Sequence, residues 1–233
     1  MAERRVIMAI GGHIGDAELT AGGVLATEAL KGNKIVTVAL TGGERGCPAG
    51  VDMADYLEQK KEEAFKFADA LGGESVVFDI PDCELKADQE TALALCDVIR
   101  KYRADVLITH WKGSIHKDHI AAHQITLDAQ QFAGLASVKR DLPHKFAAGP
   151  YYAENWEDPV GFKPYVYAEV TEEGFRLWQK AIEYHWFAVN SKDFKYKAYY
   201  EHLMALRGIE ARKAYAETFM VDEMQMRVMK SNW

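Results

Sequence analysis

Short apolar runs alternate with amphipathic stretches along the first half of the chain. Apolar runs with the length and composition of buried strands occur at residues 6–10, 34–40, 75–80 and 104–110. The stretches that follow them, residues 17–30, 54–71, 89–102 and 117–132, have helical patterns. Apolar strands of this kind are buried on both faces of a sheet. The alternation therefore predicts an α/β fold with a mostly parallel sheet covered by helices on both faces.

The pattern loosens in the second half of the chain. Residues 139–164 contain four prolines and many aromatic residues without a clear period, which predicts a lid or a wall of a pocket. A strand is predicted at 165–170 and helices at 172–186 and 196–218. Because no repeat or linker interrupts the chain, we expect residues 1–233 to form a single domain.

Composition narrows the class of partner. The formal net charge is −7, which argues against a nucleic-acid surface because such a surface needs clustered Lys and Arg. The three cysteines are odd in number and lack CxxC spacing, as is usual for a protein in the reducing cytoplasm. No run is long enough for a signal-peptide core or a membrane span, so we expect a cytoplasmic protein without a membrane partner. Self-association as a homo-oligomer stays open.

The segment GGHIGDAELTAGG, residues 11–23, follows the first predicted strand. Its glycines match only half of the GxGxxG spacing of a dinucleotide site, so that interpretation is weak. His13 and Asp16 can instead direct an imidazole and a carboxylate toward one point. A second group, His116, Asp118 and His119, follows the strand at 104–110. Loops at the carboxyl ends of parallel strands meet at one rim, so the two groups could form a catalytic metal site, although each histidine could also be a capping or packing residue.

The segments HIGDAEL, LTGGERG and ITHWKGSIHKDH, together with RGIEARKAYAETFM near the end of the chain, resemble the PIG-L/LmbE family of zinc-dependent N-deacetylases. This resemblance implies a Rossmann-like three-layer α/β/α fold. It also implies Zn²⁺, or another divalent metal, held by His13, Asp16 and His119. In the family pattern His116 polarises the substrate carbonyl, Asp118 orients that histidine, and zinc-bound water is the nucleophile that removes an N-acetyl group.

The chain departs from this pattern at the residue that matters most for catalysis. Gly15 stands where the family has the aspartate that serves as general base, and Lys117 replaces a proline of the second motif. Three outcomes stay open: another carboxylate, Glu44 or Asp118, is the base; the same metal serves a different reaction; or the chain is a non-catalytic relative that binds a metal or ligand.

The family acts mainly on N-acetylglucosamine units, so the expected substrate is a small amino-sugar conjugate. Tyr152 and Trp156 lie in the aromatic segment and could stack on a sugar ring, although they could equally pack the loop itself. The charge run at residues 58–63 is predicted to be a solvated helix face. No spacing connects His110, His123 or His185 to the predicted site.

Overall fold

The strand that carries the first motif lies near the middle of the sheet. The computed structural model describes residues 4–226, and over these residues the strand order is β3-β2-β1-β4-β5-β7-β6. The strands are β1 (Val6–His13), β2 (Lys34–Thr41), β3 (Glu74–Val77), β4 (Val106–His110), β5 (Ala148–Ala153), β6 (Val166–Val170) and β7 (Tyr215–Met220). Strands β1 to β5 are parallel, and β7 pairs antiparallel with both β5 and β6. The mostly parallel sheet is therefore confirmed.

Helices cover both faces of this sheet. They are α1 (Asp16–Thr20), α2 (Gly22–Leu30), α3 (Met53–Ala70), α4 (Gln89–Tyr102), α5 (Lys117–Gly134), α6 (Glu172–Ala181), α7 (Trp186–Asn190) and α8 (Tyr196–Ala211). On one face α2 and α6 bury Leu25 and Trp178 against Ile7. On the other face α4 and α5 bury Ile99 and Ile125 against Leu107. Two apolar cores on opposite sides of one sheet make the three layers that the sequence predicts.

The carboxyl ends of the central strands form a common rim. His13, the last residue of β1, pairs in register with Thr41, the last residue of β2. Strand β4 pairs with the other side of β1 and ends at His110. The parallel register brings the loops after these strands to the same edge of the sheet, where ligands bind in folds of this kind.

The structure corrects the sequence prediction in the second half. The predicted helix at 196–218 ends at Ala211, because Arg212 adopts the left-handed conformation (φ 59°) that terminates helices. Residues 215–220 then form β7. The alanine and glutamate residues at the end of the predicted helix favour a helical conformation. Pairing with β5 and β6 nevertheless decides the conformation, since strand formation depends on tertiary context.

The segment at 139–164 is also only partly a pocket wall. Residues 148–153 form β5, a strand of the main sheet, and residues 155–157 line the cavity described below. The predicted helix at 17–30 is divided into α1 and α2 at Ala21. Among residues 4–226, the structure contains no helix with the length and apolar character needed to cross a membrane.

Candidate active site

The loop after β1 brings His13 and Asp16 together. Gly15 has φ +107°, a conformation that L side chains rarely adopt, and it turns the chain into α1. The Glu18 carboxylate accepts a hydrogen bond from the Gly15 N–H at 3.1 Å and fixes this turn. Asp16 Oδ2 accepts from the His13 N–H at 2.7 Å and lies 3.1 Å from His13 Nδ1. A tight turn thus holds an imidazole and a carboxylate side by side.

The loop between β4 and α5 supplies the second group. His116 is the N-cap of α5, and its Nδ1 accepts a hydrogen bond from the Asp118 N–H at 3.2 Å. His119 follows in the first turn of the helix and is fully buried. Its Nε2 lies 3.3 Å from His13 Nδ1 and 3.4 Å from Asp16 Oδ2. The two motifs, about a hundred residues apart in the chain, therefore meet.

The spacing of these three ligand atoms fits a metal ion. The three separations are 3.1, 3.3 and 3.4 Å. Atoms bound ~2.0–2.1 Å from a tetrahedral ion are about 3.3 Å apart, so His13, Asp16 and His119 fit three corners of such a site. Two imidazoles and one carboxylate also form a donor set that suits zinc and several other divalent transition metals.

Carboxylates stand behind both imidazoles. Asp158 Oδ1 lies 3.0 Å from His119 Nδ1, and Asp158 Oδ2 lies 2.9 Å from His110 Nδ1. Asp82 Oδ1 and Asp118 Oδ2 lie 3.2 and 3.5 Å from His13 Nε2. Such outer carboxylates orient metal-binding histidines and raise their basicity. The same arrangement is therefore expected around a bound metal.

The charges of the site favour a cation. Burial alone would lower the pKa of His119, but Asp16 and Asp158 raise it to about 9. Burial acts on Asp16 in the opposite direction, and His119 and His13 overcome it and hold the pKa of Asp16 well below its ordinary value. Without a metal, the site therefore holds protons that a divalent cation would displace.

Two predicted catalytic acids have other places in the structure. The carboxylate of Asp118 does not contact His116. Its Oδ2 accepts from the Cys83 N–H at 2.7 Å and faces His13, because Asp118 lies in the first turn of α5 with its side chain turned away from His116. Glu44 Oε1 accepts from the Asp82 N–H at 2.8 Å, and Glu44 does not line the cavity. Both carboxylates hold the loop at residues 82–83 rather than facing a substrate.

The space beside Gly15 is closed. A Cβ atom built on Gly15 would lie 2.3 Å from Cζ of Phe187, which belongs to α7. An aspartate at this position would therefore collide with an aromatic ring as well as adopt an unfavourable φ. The place where the resembled enzymes keep their base is filled by Phe187 in this chain.

A cavity of about 1050 Å³ opens above His13, Asp16 and His116. Trp156 lines it and stacks on Phe194, with ring centroids 4.4 Å apart. Tyr152 does not line it: the ring is fully buried between Trp111 and His123, and its hydroxyl donates to Asp222 at 2.8 Å. The hypothesis that Tyr152 stacks on a sugar is therefore not supported, because its place in β5 directs the side chain into the core.

Several residues around the cavity were missed by sequence reasoning. His110 and Asp158 belong to the hydrogen-bonded group behind His119, and Asp82 stands behind His13. Glu157 lines the cavity, with Oε2 3.9 Å from His119 Nε2, and burial raises its pKa. His110 could have been found, since it is the last residue of a parallel strand; the loop carboxylates carry no comparable signal.

The charged run at 58–63 is only in part the solvated face that the sequence predicts: Glu58, Gln59 and Glu62 are exposed. Lys60 and Glu63 are buried, and Lys60 lines the cavity. The signal was present, because Lys60 occupies the position between Tyr56 and Ala64 on the helix face that also buries Phe67. A lysine flanked by apolar residues on one helix face is predicted to be buried, even when its neighbours in the sequence are charged.

Comparison with known protein families and with curated proteins identifies a family and several relatives of this chain. The sequence profile of the PIG-L family, GlcNAc-PI de-N-acetylase, matches residues 8–130. The 4-oxalmesaconate hydratase of Pseudomonas putida is 26% identical over 221 residues, covering 88% of this chain and 81% of the hydratase. The 1D-myo-inositol 2-acetamido-2-deoxy-alpha-D-glucopyranoside deacetylase 2 of Catenulispora acidiphila is 26% identical over 182 residues, covering 63% of this chain and 59% of the deacetylase.

Solved structures show the same fold. The 4-carboxy-2-hydroxymuconate hydratase of Pseudomonas putida superposes with a TM-score of 0.86 at 23% identity, covering 98% of this chain and all of the hydratase chain. The N,N'-diacetylchitobiose deacetylase of Pyrococcus horikoshii superposes with a TM-score of 0.80 at 18% identity, covering 94% of this chain and 84% of that one. These likenesses confirm the Rossmann-like α/β/α architecture.

Proposed function

This chain is an enzyme that belongs to the PIG-L family, and from that premise we propose that it is a metal-dependent hydrolase. In this proposal it removes an acyl group, such as acetyl, from the nitrogen of a small molecule, for which an N-acetylated amino sugar is the reference substrate. The observation that carries the proposal is the set of ligand atoms on His13, Asp16 and His119, whose spacing fits one tetrahedral ion.

His13, Asp16 and His119 would hold the metal, with zinc as the first candidate. When bound, such an ion supplies Lewis acidity toward water and toward a carbonyl oxygen. The outer carboxylates Asp82, Asp118 and Asp158 would keep the two imidazoles oriented, which supports the proposed ligand set.

His116 is suited to stabilise the developing oxyanion. Burial lowers its pKa, as do the neighbouring His13 and His119, and this favours the neutral ring. Its Nδ1 accepts from the Asp118 N–H, and the proton of the neutral ring is therefore on Nε2. From the cavity wall, Nε2–H can donate to the oxygen of a substrate carbonyl as negative charge develops there.

Glu157 is suited to take the part of the missing base. Its side chain lines the cavity beside His119, while its backbone is fixed by hydrogen bonds from Ile115 N to Glu157 O and from Glu157 N to Asn155 Oδ1. Burial raises the pKa of the Glu157 carboxyl toward neutral pH, where a general base works best. Glu157 would take a proton from the attacking water and pass it to the leaving nitrogen.

A second candidate function is the addition of water to a carbon–carbon double bond conjugated to a carboxylate. Two observations favour it. The curated hydratase matches 88% of this chain, and Phe187 closes the position at which deacetylases of the family carry their base. The same protein groups would serve, with Glu157 moving the proton and His116 facing the developing charge.

The test measures metal content and turnover on one preparation. We expect about one zinc per chain in the wild type, as for a three-ligand catalytic site, and near-complete loss of metal in His119→Ala, with the exposed His144→Ala as control. Acetate release from N-acetylglucosamine conjugates should fall about 10²–10⁴-fold in Glu157→Gln and stay unchanged in the exposed Glu62→Gln.

The same preparation separates the two candidates. Release of acetate that requires zinc supports the hydrolase, whereas zinc-dependent loss of the ultraviolet absorbance of a conjugated unsaturated dicarboxylate supports the hydratase. A wild-type protein that binds no divalent metal would contradict both, and wild-type turnover by Glu157→Gln would remove Glu157 from the mechanism.

A further inference from the structure

Lys60 lies on the inner face of α3 and reaches the cavity. Its residue is only 6% exposed, and buried neighbours on the same helix face are Tyr56, Ala64 and Phe67. It is nevertheless one of the residues that line the cavity above the metal ligands. A charged side chain in this place has lost nearly all of its hydration, which is costly unless other groups replace the water.

The protein provides little replacement. The hydrogen bond from Nζ to Gly43 O is long, at 3.4 Å, and the rings of Phe187 and Tyr56 lie 5.0 and 5.7 Å from Nζ. Among residues 4–226 no carboxylate lies within ion-pair distance of this ammonium group. An ammonium group has three donor hydrogens, so Lys60 keeps hydrogen-bonding capacity that the protein does not use.

Gly43 brings this ammonium close to the metal ligands. A Cβ atom built on Gly43 would lie 2.9 Å from Lys60 Nζ and 3.0 Å from His13 Cβ. Lys60 and His13 therefore flank the same glycine, whose φ of +67° and lack of a side chain leave room for both. The free donors of Lys60 are thus within reach of a molecule that contacts the metal centre.

The acidic residues near Lys60 are already engaged elsewhere. Asp16 and Asp82 contact His13, Glu18 accepts from the Gly15 N–H, and Glu63 accepts from Gln59 at 2.7 Å. Burial lowers the pKa of Lys60, and these carboxylates oppose that shift at a distance without accepting its hydrogens. An ion pair within the protein therefore does not explain why the Lys60 ammonium group lies at the cavity.

We propose that Lys60 binds an anionic oxygen group of the substrate, a carboxylate or a phosphate, next to the metal centre. The inference deepens the proposed function, on which it rests, by assigning the substrate class: a small molecule with one acidic group as well as the reacting bond. A compact ammonium with two donors free, beside one long hydrogen bond to Gly43 O, suits an oxyanion, and the surrounding rings exclude water that would compete for it.

The test is calorimetric binding of small probes to metal-free and zinc-loaded protein. The probes are malonate, inorganic phosphate and the neutral analogue malonamide. We expect one or both anions to bind the metal-free and the zinc-loaded wild type. Malonamide should bind neither form of the protein. Lys60→Met should weaken anion binding about 10- to 100-fold, the usual worth of a hydrogen bond to a charged group, while Lys66→Met on the exposed face should have no effect.

Further measurements keep the result interpretable. Lys60→Arg retains the positive charge and should retain part of the anion affinity, and zinc content with a melting curve shows whether each variant is folded. Preference for malonate or for phosphate identifies the acidic group. The proposal is overturned if neither anion binds the wild type, if malonamide binds equally well, or if Lys60→Met binds the anion as the wild type does.

The metal-free arm separates this inference from the proposed reaction. Anion binding that needs Lys60 but not zinc supports the anion site even where no acyl group is released. Conversely, acetate release with unchanged anion affinity in Lys60→Met supports the hydrolase and removes the anion site.

Discussion

Two walls of the cavity differ in whether their basic side chains have a carboxylate within ion-pair distance. On the metal wall, where His13 and Asp16 line the cavity and His119 contacts both, each imidazole has a carboxylate at the nitrogen that faces away from the ion site. On the adjoining wall, formed by Lys60 and Phe187 and called the lysine wall below, an aromatic ring lies beside an ammonium group without an ion-pair partner among the described residues. In the proposals above, the metal wall would activate the reacting groups, whereas the lysine wall would select the molecule that fits and limit which base can act.

The strongest test of the comparison between the two walls is to introduce, at Gly15, the aspartate of the family pattern. Gly15→Asp should not raise activity, and it should lower the free energy of unfolding by about 2–5 kcal/mol, because φ +107° is strained and the new Cβ meets Phe187 at 2.3 Å. Urea unfolding measures the stability, and acetate release measures the activity. A large gain in activity would mean that the Phe187 ring moves aside and that only the base was lost.

Gly50 offers a matched control for this substitution. It also has a positive φ, of +83°, but no atom lies within 4 Å of a Cβ built there. Gly50→Asp therefore carries the backbone strain alone, about 1–3 kcal/mol, and the difference from Gly15→Asp reports the collision. In a Phe187→Ala background, which removes the collision, Gly15→Asp should lower the free energy of unfolding only by the backbone strain, relative to Phe187→Ala alone.

A smaller effect is expected from the supports of the metal wall. Asp158→Asn keeps the shape of a buried side chain that contacts both His110 and His119, but it removes the negative charge. Zinc affinity should fall about 10- to 100-fold, since outer carboxylates raise ligand basicity. Competition with a chromophoric chelator measures this, and the exposed Asp69→Asn should bind zinc normally. Unchanged affinity in Asp158→Asn would show that the carboxylate is not a metal support.

The metal wall was largely predictable from the sequence, and the lysine wall was not. His13 ends β1, Asp16 begins α1, and His119 lies in the first turn of α5, the helix that follows β4. Strand register alone brings these connections to one rim. Phe187 and Lys60 reach the cavity from α7 and α3, and helix packing places them there. Sequence periodicity shows which face of a helix is buried, but it does not show which loop that face meets.

The strands also differ in how well the sequence predicts them. Strands β1 to β4 have apolar runs that identify them, whereas β5 was hidden in a segment rich in proline and β7 in a stretch of residues that favour helices. Both are strands because neighbouring strands supply the hydrogen bonds, as the antiparallel pair Tyr152 and Met220 illustrates. Such tertiary pairing leaves little trace in local sequence.

The smallest effect concerns acid stability near the lysine wall. His185 is fully buried between Phe67 and Phe187, neither ring nitrogen has a hydrogen-bond partner among residues 4–226, and burial lowers its pKa to about 3. The unfolded chain takes up this proton near pH 6.5, whereas the folded chain does not, so the contribution is complete above pH 6.5 and is lost as pH falls toward 3. At pH 5.5 the loss is about 1.4 kcal/mol relative to pH 8.

His185→Phe removes this proton while keeping an aromatic ring between two others. The variant should therefore lose about 1.4 kcal/mol less stability than the wild type between pH 8 and pH 5.5, as measured by urea unfolding at both values. The comparison within each protein cancels any change in packing that the substitution causes at pH 8. Because His13 and His119 titrate in both proteins, their contributions cancel as well. Equal acid sensitivity in the two proteins would mean that His185 is protonated in the folded state, and hence that water or a polar group reaches this side of the cavity.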